Sequence, residues 1–442
     1  MKYPTASAVL QSLCDGPTGA PRRSYRLLLV AGLIACCLMT ACNHYDFEYG
    51  VDFSALPNHG LYFAPYHENL YDFEDEQQSP ITNQVSPIRT ASSIDGIGML
   101  RGLTEGLTSY QVRQVSGTYP SVSAWGDTIR LSGAVYYPAK GDIKGIVVSC
   151  HYTVCADYEV PSMSCFMDAW LATKGYAVVM PDYIGYGCTV DSVHPYMQAD
   201  LNARNVIDMV LAVRPYFASK GLKIQTSDIY LMGYSQGAHT AMHVLRLLED
   251  QTNYPEYADA AIRVRCCYVG GGPYYISEFY YRAVGNNYIG IPCSVPMLVL
   301  GMNCGRPEGS RFEPEYFFSQ RLLANYKNWI LSKRYTVDQL RTLIGTSSLD
   351  EILSPEASSF GYSETIRLYK ELLNHDVPSD FIPKARLYVF HSRDDNVVPF
   401  YNAERLYEQL QGTNADVEFD FDHYGVHGMA FAKFLMKVYK KL

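Results

Sequence analysis

The sequence predicts an α/β fold, a mostly parallel β-sheet flanked by helices and carrying a helical cap insertion. Three observations predict it. From about residue 127 onward, short apolar β-rich runs alternate with helical segments, the pattern of strands joined by crossover helices on both faces of a sheet. These runs end near Gly, Asp, His or Ser, and ligands of open α/β sheets sit at the carboxyl ends of the strands. Between about 273 and 383 the alternation lapses into helical pieces with many aromatics, which predicts an insertion lying over those ends. A chain of 442 residues, 48% hydrophobic and 18% charged, is long enough for one large sheet domain with additions.

Taken from the N-terminus, the first segment is an address. Arg22, Arg23 and Arg26 precede the apolar run Leu27 to Ala41, too short for a comfortable membrane span and typical of a signal peptide over 1–41. Leu38-Met39-Thr40-Ala41-Cys42 resembles a bacterial lipobox, which makes Cys42 the lipidation site and the mature N-terminus. Leu33-Ile34-Ala35-Cys36 is a competing box, but cleavage there would leave apolar Cys37 to Ala41 on the mature chain. A plain secretory signal and an uncleaved anchor are the alternatives. Loss of residues 1–41 removes four cations and one anion, moving the formal charge from −9 to −12. That balance argues against a nucleic-acid partner and leaves lipid at Cys42 as the membrane attachment.

Residues 43–95 are polar, acidic and aromatic-spotted without sustained periodicity. They read as a tether, although their tyrosines are equally able to dock on the body; the main domain is placed at 96–442. Strands are predicted at Thr128–Tyr137, Gly145–Cys150, Tyr176–Met180, Ile229–Met232, Val264–Val269 and Ala385–Phe390. Helices are predicted at about 160–174, 198–219, 237–250 and 401–411, and over Met429–Tyr439 at the end. Most cap aromatics, among them Tyr274, Tyr280, Phe312 and Phe317, are expected to pack the cap's own core.

The run Ile229 to Met232 passes into Gly233-Tyr234-Ser235-Gln236-Gly237, a Gly-x-Ser-x-Gly between strand and helix. Small neighbours at Gly233 and Gly237 allow close approach there, and a serine at such a turn is held strained and exposed at a helix N-terminus. Serine is a weak nucleophile, so it needs a histidine to take its proton and a carboxylate to orient that histidine. Downstream, Ala385 to Phe390 runs into His391-Ser392-Arg393-Asp394-Asp395-Asn396-Val397-Val398-Pro399, offering Asp395, with Asp394 as the adjacent alternative. Two histidines, His423 and His427, follow Val417 to Asp422. His427, directly before the terminal helix, is the candidate base, and His423 is expected to line the site or satisfy the loop backbone. Backbone N–H groups of Gln236 and of Tyr152, or Thr153, are the candidate oxyanion donors.

In that chain order, Gly233 to Gly237, Asp395 and His427 resemble the α/β-hydrolase superfamily from about residue 127 to the end. His151-Tyr152-Thr153, Pro181-Asp182-Tyr183-Ile184-Gly185-Tyr186-Gly187 and Tyr234-Ser235-Gln236-Gly237 are similar to secretory lipase-type esterases, and the segment 391–399 resembles that family's His-Gly-x-x-Asp-x-x-Val-Pro turn, whose register points to Asp395. The exported-lipoprotein style resembles that of Bacteroides-type bacteria. The resemblance implies cleavage of small-molecule carboxylic esters through an acyl-enzyme, without metal or organic cofactor. Two departures, Tyr152 for a small residue and Ser392 for glycine, weaken the transfer of substrate class. A peptidase acting on short peptides is the second enzymatic expectation, with Glu278 or Glu313 as the anchor for an amino terminus; a non-catalytic surface-binding lipoprotein is the third.

Other polar residues carry blander expectations. His194, His239 and His243 are read as packed, hydrogen-bonded histidines. The pairs His239/His243 and His423/His427 have metal-compatible spacing but lack a glutamate after the first histidine, so no metal site is assigned. Export permits disulfides, and Cys293 with Cys304 or Cys155 with Cys165 are the candidate pairs, while Cys150, Cys266 and Cys267 are expected as buried thiols.

Overall fold

The computed structural model describes residues 63–72 and 111–442, apart from 251, 256 and 258–260. The expected leader, Cys42 and most of the expected tether lie outside the described residues. Among the described residues there are nine strands: β1 Ala64–Asp72, β2 Gln111–Val122, β3 Thr128–Pro138, β4 Ile146–Cys150, β5 Ala177–Pro181, β6 Ile229–Tyr234, β7 Val264–Gly270, β8 Arg386–Ser392 and β9 Val417–Asp422. They form one sheet in the order β1-β2-β3-β5-β4-β6-β7-β8-β9. The pairings β1–β2, β2–β3 and β3–β5 are antiparallel, and every pairing from β5 through β4 to β9 is parallel. All six predicted strands are here, and fold class and sheet direction follow the sequence.

Three of the strands, β1, β2 and β9, have no sequence expectation behind them. β1 lies within the segment expected as a tether, so residues 64–72 belong to the sheet and the boundary at 96 does not hold for them. β2 looks polar, yet Gln114, Ser116, Thr118 and Ser121 are buried. Their partners explain it: Gln114 receives bonds from Asn69 Nδ2 at 3.1 Å and the Tyr71 hydroxyl at 2.7 Å and donates to Pro161 O at 3.0 Å. Ser116 donates to Ser162 O and Ser121 to Asp208, both at 2.7 Å, and a strand whose buried polar side chains find partners in this way need not show apolar alternation.

The helices Ala199–Ser219 (α1) and Gln236–Glu249 (α2) cover one face of the sheet. The terminal helix His427–Lys441 and the 3-10 turn Met167–Lys174 cover the other, where Trp170 stacks on Tyr439 at 4.0 Å. The predicted helix at 160–174 is regular only in its last eight residues.

Between β7 and β8 the cap is built from helices, including Ile276–Gly285 (α3) and Ser294–Gly301 (α4), around a third core. Phe312 and Phe317 pack that core as expected, whereas Tyr274 and Tyr275 join the core beneath the sheet. The same cap core includes Cys155, Tyr196 and Met197 from loops of the sheet domain, so cap and sheet are continuous.

Candidate active site

The turn between β6 and α2 is forced by packing. A Cβ on Gly233 would lie 2.1 Å from Gly237 O, and one on Gly237 would lie 1.8 Å from Cys150 O. Strand, helix and the end of β4 therefore meet only because both positions lack a side chain. Ser235 between them sits at φ 57°, ψ −124°, a strained conformation for a residue with a Cβ. Its N–H donates to Gly270 O at 2.9 Å.

The ends of β8 and β9 bring the acid and the base together. His427 Nδ1 lies 2.7 Å from Asp395 Oδ2, and Asp395 Oδ1 accepts the N–H groups of Val397 at 2.9 Å and Val398 at 2.8 Å. Burial alone would raise the Asp395 carboxyl. The charge and hydrogen bond of His427, with His391 and the Val397 N–H, outweigh it and hold the group below the ordinary carboxylate value. The His427 ring packs on Tyr234 with centroids 4.9 Å apart, and the Tyr234 hydroxyl donates to His427 O at 2.8 Å. The base is thus fixed to the residue immediately before Ser235.

Asp394 and His423 form a separate pair at 2.7 Å, with side chains 43% and 70% exposed, whereas Asp395 is fully buried and His427 is 13% exposed. Each of the two adjacent aspartates has its own histidine, and only the Asp395–His427 pair reaches the elbow through Tyr234.

Gln236 opens α2, where the first N–H groups of a helix have no intrahelical acceptor. The chain carrying Tyr152 abuts the elbow, since His151 O would lie 2.9 Å from a Gly237 Cβ. The Tyr152 ring turns onto Phe166 and Phe431, with centroids 5.6 and 5.3 Å away, and it is not among the residues lining the pocket at Ser235.

Sequence reasoning missed several supports. Ser392, at the position of the usual glycine, is fully buried; it donates to Gly425 O at 2.6 Å and accepts from Tyr424 N at 3.0 Å and Asp394 N at 3.2 Å. Its hydroxyl ties the aspartate loop to the histidine loop. Asn396 Oδ1 accepts the His427 N–H at 3.2 Å, and His391 donates to Val398 O at 2.9 Å beneath the acid. His194 is packed, as expected, but it also lies 2.8 Å from Gln236 Nε2. Its other nitrogen faces Ile184 O at 2.8 Å, so Nδ1 carries the proton and Nε2 accepts from the amide. Burial lowers His194 to about 3, which keeps it neutral. His239 is taken up by His375 O at 2.7 Å. Only the neighbours brought by the fold could have revealed these roles.

Beside Ser235 lies a pocket of roughly 600 Å³, counting its open mouth. Met197, Ile276, Phe279, Tyr280, Val295 and Leu298 supply apolar walls. Neither Glu278 nor Glu313 lines it; Glu278 pairs with Arg282 and Arg405, and Glu313 is exposed at the start of a short cap helix.

A strained serine at a strand-to-helix turn, with an Asp–His pair presented from the next strand ends of a mostly parallel sheet, defines the α/β-hydrolase class. The model of the secretory lipase family matches residues 152–433, and the chain belongs to that family, whose activity is hydrolysis of carboxylic esters. Among solved structures, the chain is similar to the rice cell wall degrading esterase LipA from Xanthomonas oryzae, at 20% identity over 79% of this chain and 94% of that one, with a TM-score of 0.66. It is also similar to lipase A of Candida antarctica, at 17% identity over 72% of this chain and 73% of that one, with a TM-score of 0.54. Likeness at these identities concerns the fold. Among curated proteins, none matches the chain.

Proposed function

We propose that the protein is an exported serine esterase that cleaves its substrate through an acyl-enzyme. Ser235 Oγ attacks the ester carbonyl while His427 takes its proton, and Asp395 orients the ring and stabilises its cation. The N–H groups of Gln236 and Tyr152 stabilise the oxyanion. His427 then protonates the leaving alcohol, and a water activated by the same histidine releases the acid. The observation that carries this reading is the buried Asp395–His427 bond at 2.7 Å, anchored through Tyr234 to the strained Ser235.

The apolar walls beside Ser235, with neither Glu278 nor Glu313 among them, favour an ester with an apolar acyl or alcohol part over a peptide with a free amino terminus. Attachment through lipid at Cys42 in the bacterial envelope belongs to the same proposal; replacement of Cys42 by alanine is expected to abolish labelling by radioactive palmitate. The activity is tested by hydrolysis of a p-nitrophenyl ester series. Wild type is expected to cleave, with Ser235→Ala slower by several orders of magnitude. Equal rates would remove Ser235 from the mechanism.

A further inference from the structure

Of the eight cysteines among the described residues, two meet across the junction of cap and sheet. Cys155 Sγ lies 3.7 Å from Cys293 Sγ, the two being separated by 138 positions in the chain. Neither pair suggested by the sequence is formed: Cys165 Sγ faces Phe166 O at 3.8 Å, and Cys304 Sγ faces Val193 O at 3.5 Å. Nearness in sequence favours the pairs 155/165 and 293/304, whereas the fold brings the first member of one to the first member of the other.

We infer that Cys155 and Cys293 form a disulfide that fastens the cap to the loop following β4. The two sulfurs are in van der Waals contact, and the bond would bring them to about 2.05 Å. Both residues are buried, Cys155 at 4% and Cys293 at 0% exposure, and Met297 Sδ lies 3.5 Å from Cys155 Sγ. Contact with Cys293 and burial push the Cys155 thiol well above its ordinary value, so this is no site for a free reactive thiolate. The bond therefore forms before the cap closes over it. Each thiol loses one proton and one electron, and the electron pair reduces a disulfide-bearing oxidant of the secretory compartment to its dithiol.

The position gives the bridge a function. Cys155 stands three residues after Tyr152, and Thr153 between them holds the Tyr196 hydroxyl at 2.9 Å. Cys293 directly precedes α4, whose Ser294, Val295 and Leu298 line the pocket at Ser235. A covalent link here fixes the pocket wall relative to the candidate oxyanion loop, and the start of α4 cannot swing away as a lid. The inference rests on export, which the proposed function shares, but not on the chemistry assigned to Ser235.

The test uses the full chain, exported by a bacterial host, with thiols blocked before unreduced proteolysis and mass spectrometry. The segment 145–174 is expected to be linked to the segment 283–311, with the link lost in Cys155→Ser and in Cys293→Ser and retained in Cys165→Ser and Cys304→Ser. Reductant is expected to lower the wild-type Tm by about 5–10 °C, as befits a long closed loop, and to leave the Tm of Cys155→Ser unchanged. Blocked thiols at both Cys155 and Cys293 in the exported wild type, or a link that survives in Cys155→Ser, would overturn the inference. A linked protein without esterase activity would sustain the bridge and count against the proposed function alone.

Discussion

At Asp395 three bonds meet on one carboxylate: His427 on Oδ2, and the N–H groups of Val397 and Val398 on Oδ1. Asparagine can keep an acceptor for the backbone, but its neutral amide neither fixes the histidine tautomer nor stabilises the imidazolium. Asp395→Asn is therefore expected to lower kcat by about 10³–10⁴ with little change in KM, measured on the best p-nitrophenyl ester. Asp394→Asn, which removes charge from the exposed pair with His423, is expected to stay within a few-fold of wild type; the reverse ranking would reassign the acid. Because the Asp395 pKa lies below its unfolded value of about 3.9, its charge contributes stability that is fully present above that value. The contribution disappears as pH falls through the lower folded value. Register alone made the expectation of Asp395 over Asp394 legible in the sequence. The serine that replaces the family's glycine at 392 was not, because the groups it bonds at Tyr424, Gly425 and Asp394 come from two loops that only the fold unites.

At the scale of elements, β4, β5 and β6 were legible because each is an apolar run buried along its length, whereas the parallel edge strand β9, Val-Glu-Phe-Asp-Phe-Asp and only half-buried, was not. The packing behind β4 carries a less visible feature, Asp168, which is 4% exposed and accepts the Ser149 hydroxyl at 2.7 Å. Burial raises its carboxyl to about 6. A folded pKa above the unfolded one means that the protonated form favours folding, and that stability is lost as pH rises from about 4 through 6. Asp168→Asn retains the acceptor for Ser149 and removes the charge. It is expected to be more stable than wild type above pH 6, by up to about 3 kcal/mol, with the gain vanishing near pH 4. Urea midpoints at pH 4 and pH 8 measure this, and an equal difference at both values would show that charge burial is not its cause. The helices of the cap pose the opposite problem for sequence reading. Their aromatics all look alike in a list, yet Tyr274 serves the sheet core, Phe317 the cap core and Phe279 the pocket, an assignment set by which helix face meets which neighbour.

For the molecule as a whole, the unexpected partner of the sheet is the segment before residue 73. β1 pairs along β2 from Ala64 with Thr118 to Asp72 with Gln111, and Phe63 packs edge-on against Tyr216 of α1 at 5.3 Å. Its sequence, Ala-Pro-Tyr-His-Glu-Asn-Leu-Tyr-Asp, hides this because an edge strand presents one face to solvent and because Asn69 is buried only by virtue of Gln114. Removing residues 1–62 leaves that edge covered. Removing residues 1–95, the boundary that composition suggests, uncovers the β2 edge over Gln111 to Thr118, leaving N–H and C=O groups there unpaired, and strands Gln114 without Asn69 and Tyr71. A chain starting at residue 96 is expected to aggregate or to melt well below one starting at residue 63, by on the order of 10 °C given several kcal/mol of lost burial and hydrogen bonding. Comparison of the two by size-exclusion chromatography and thermal melts checks it. Equal behaviour would make β1 a dispensable addition; the expected difference would place the start of the folded body at residue 63 rather than 96, leaving about twenty residues between Cys42 and the sheet.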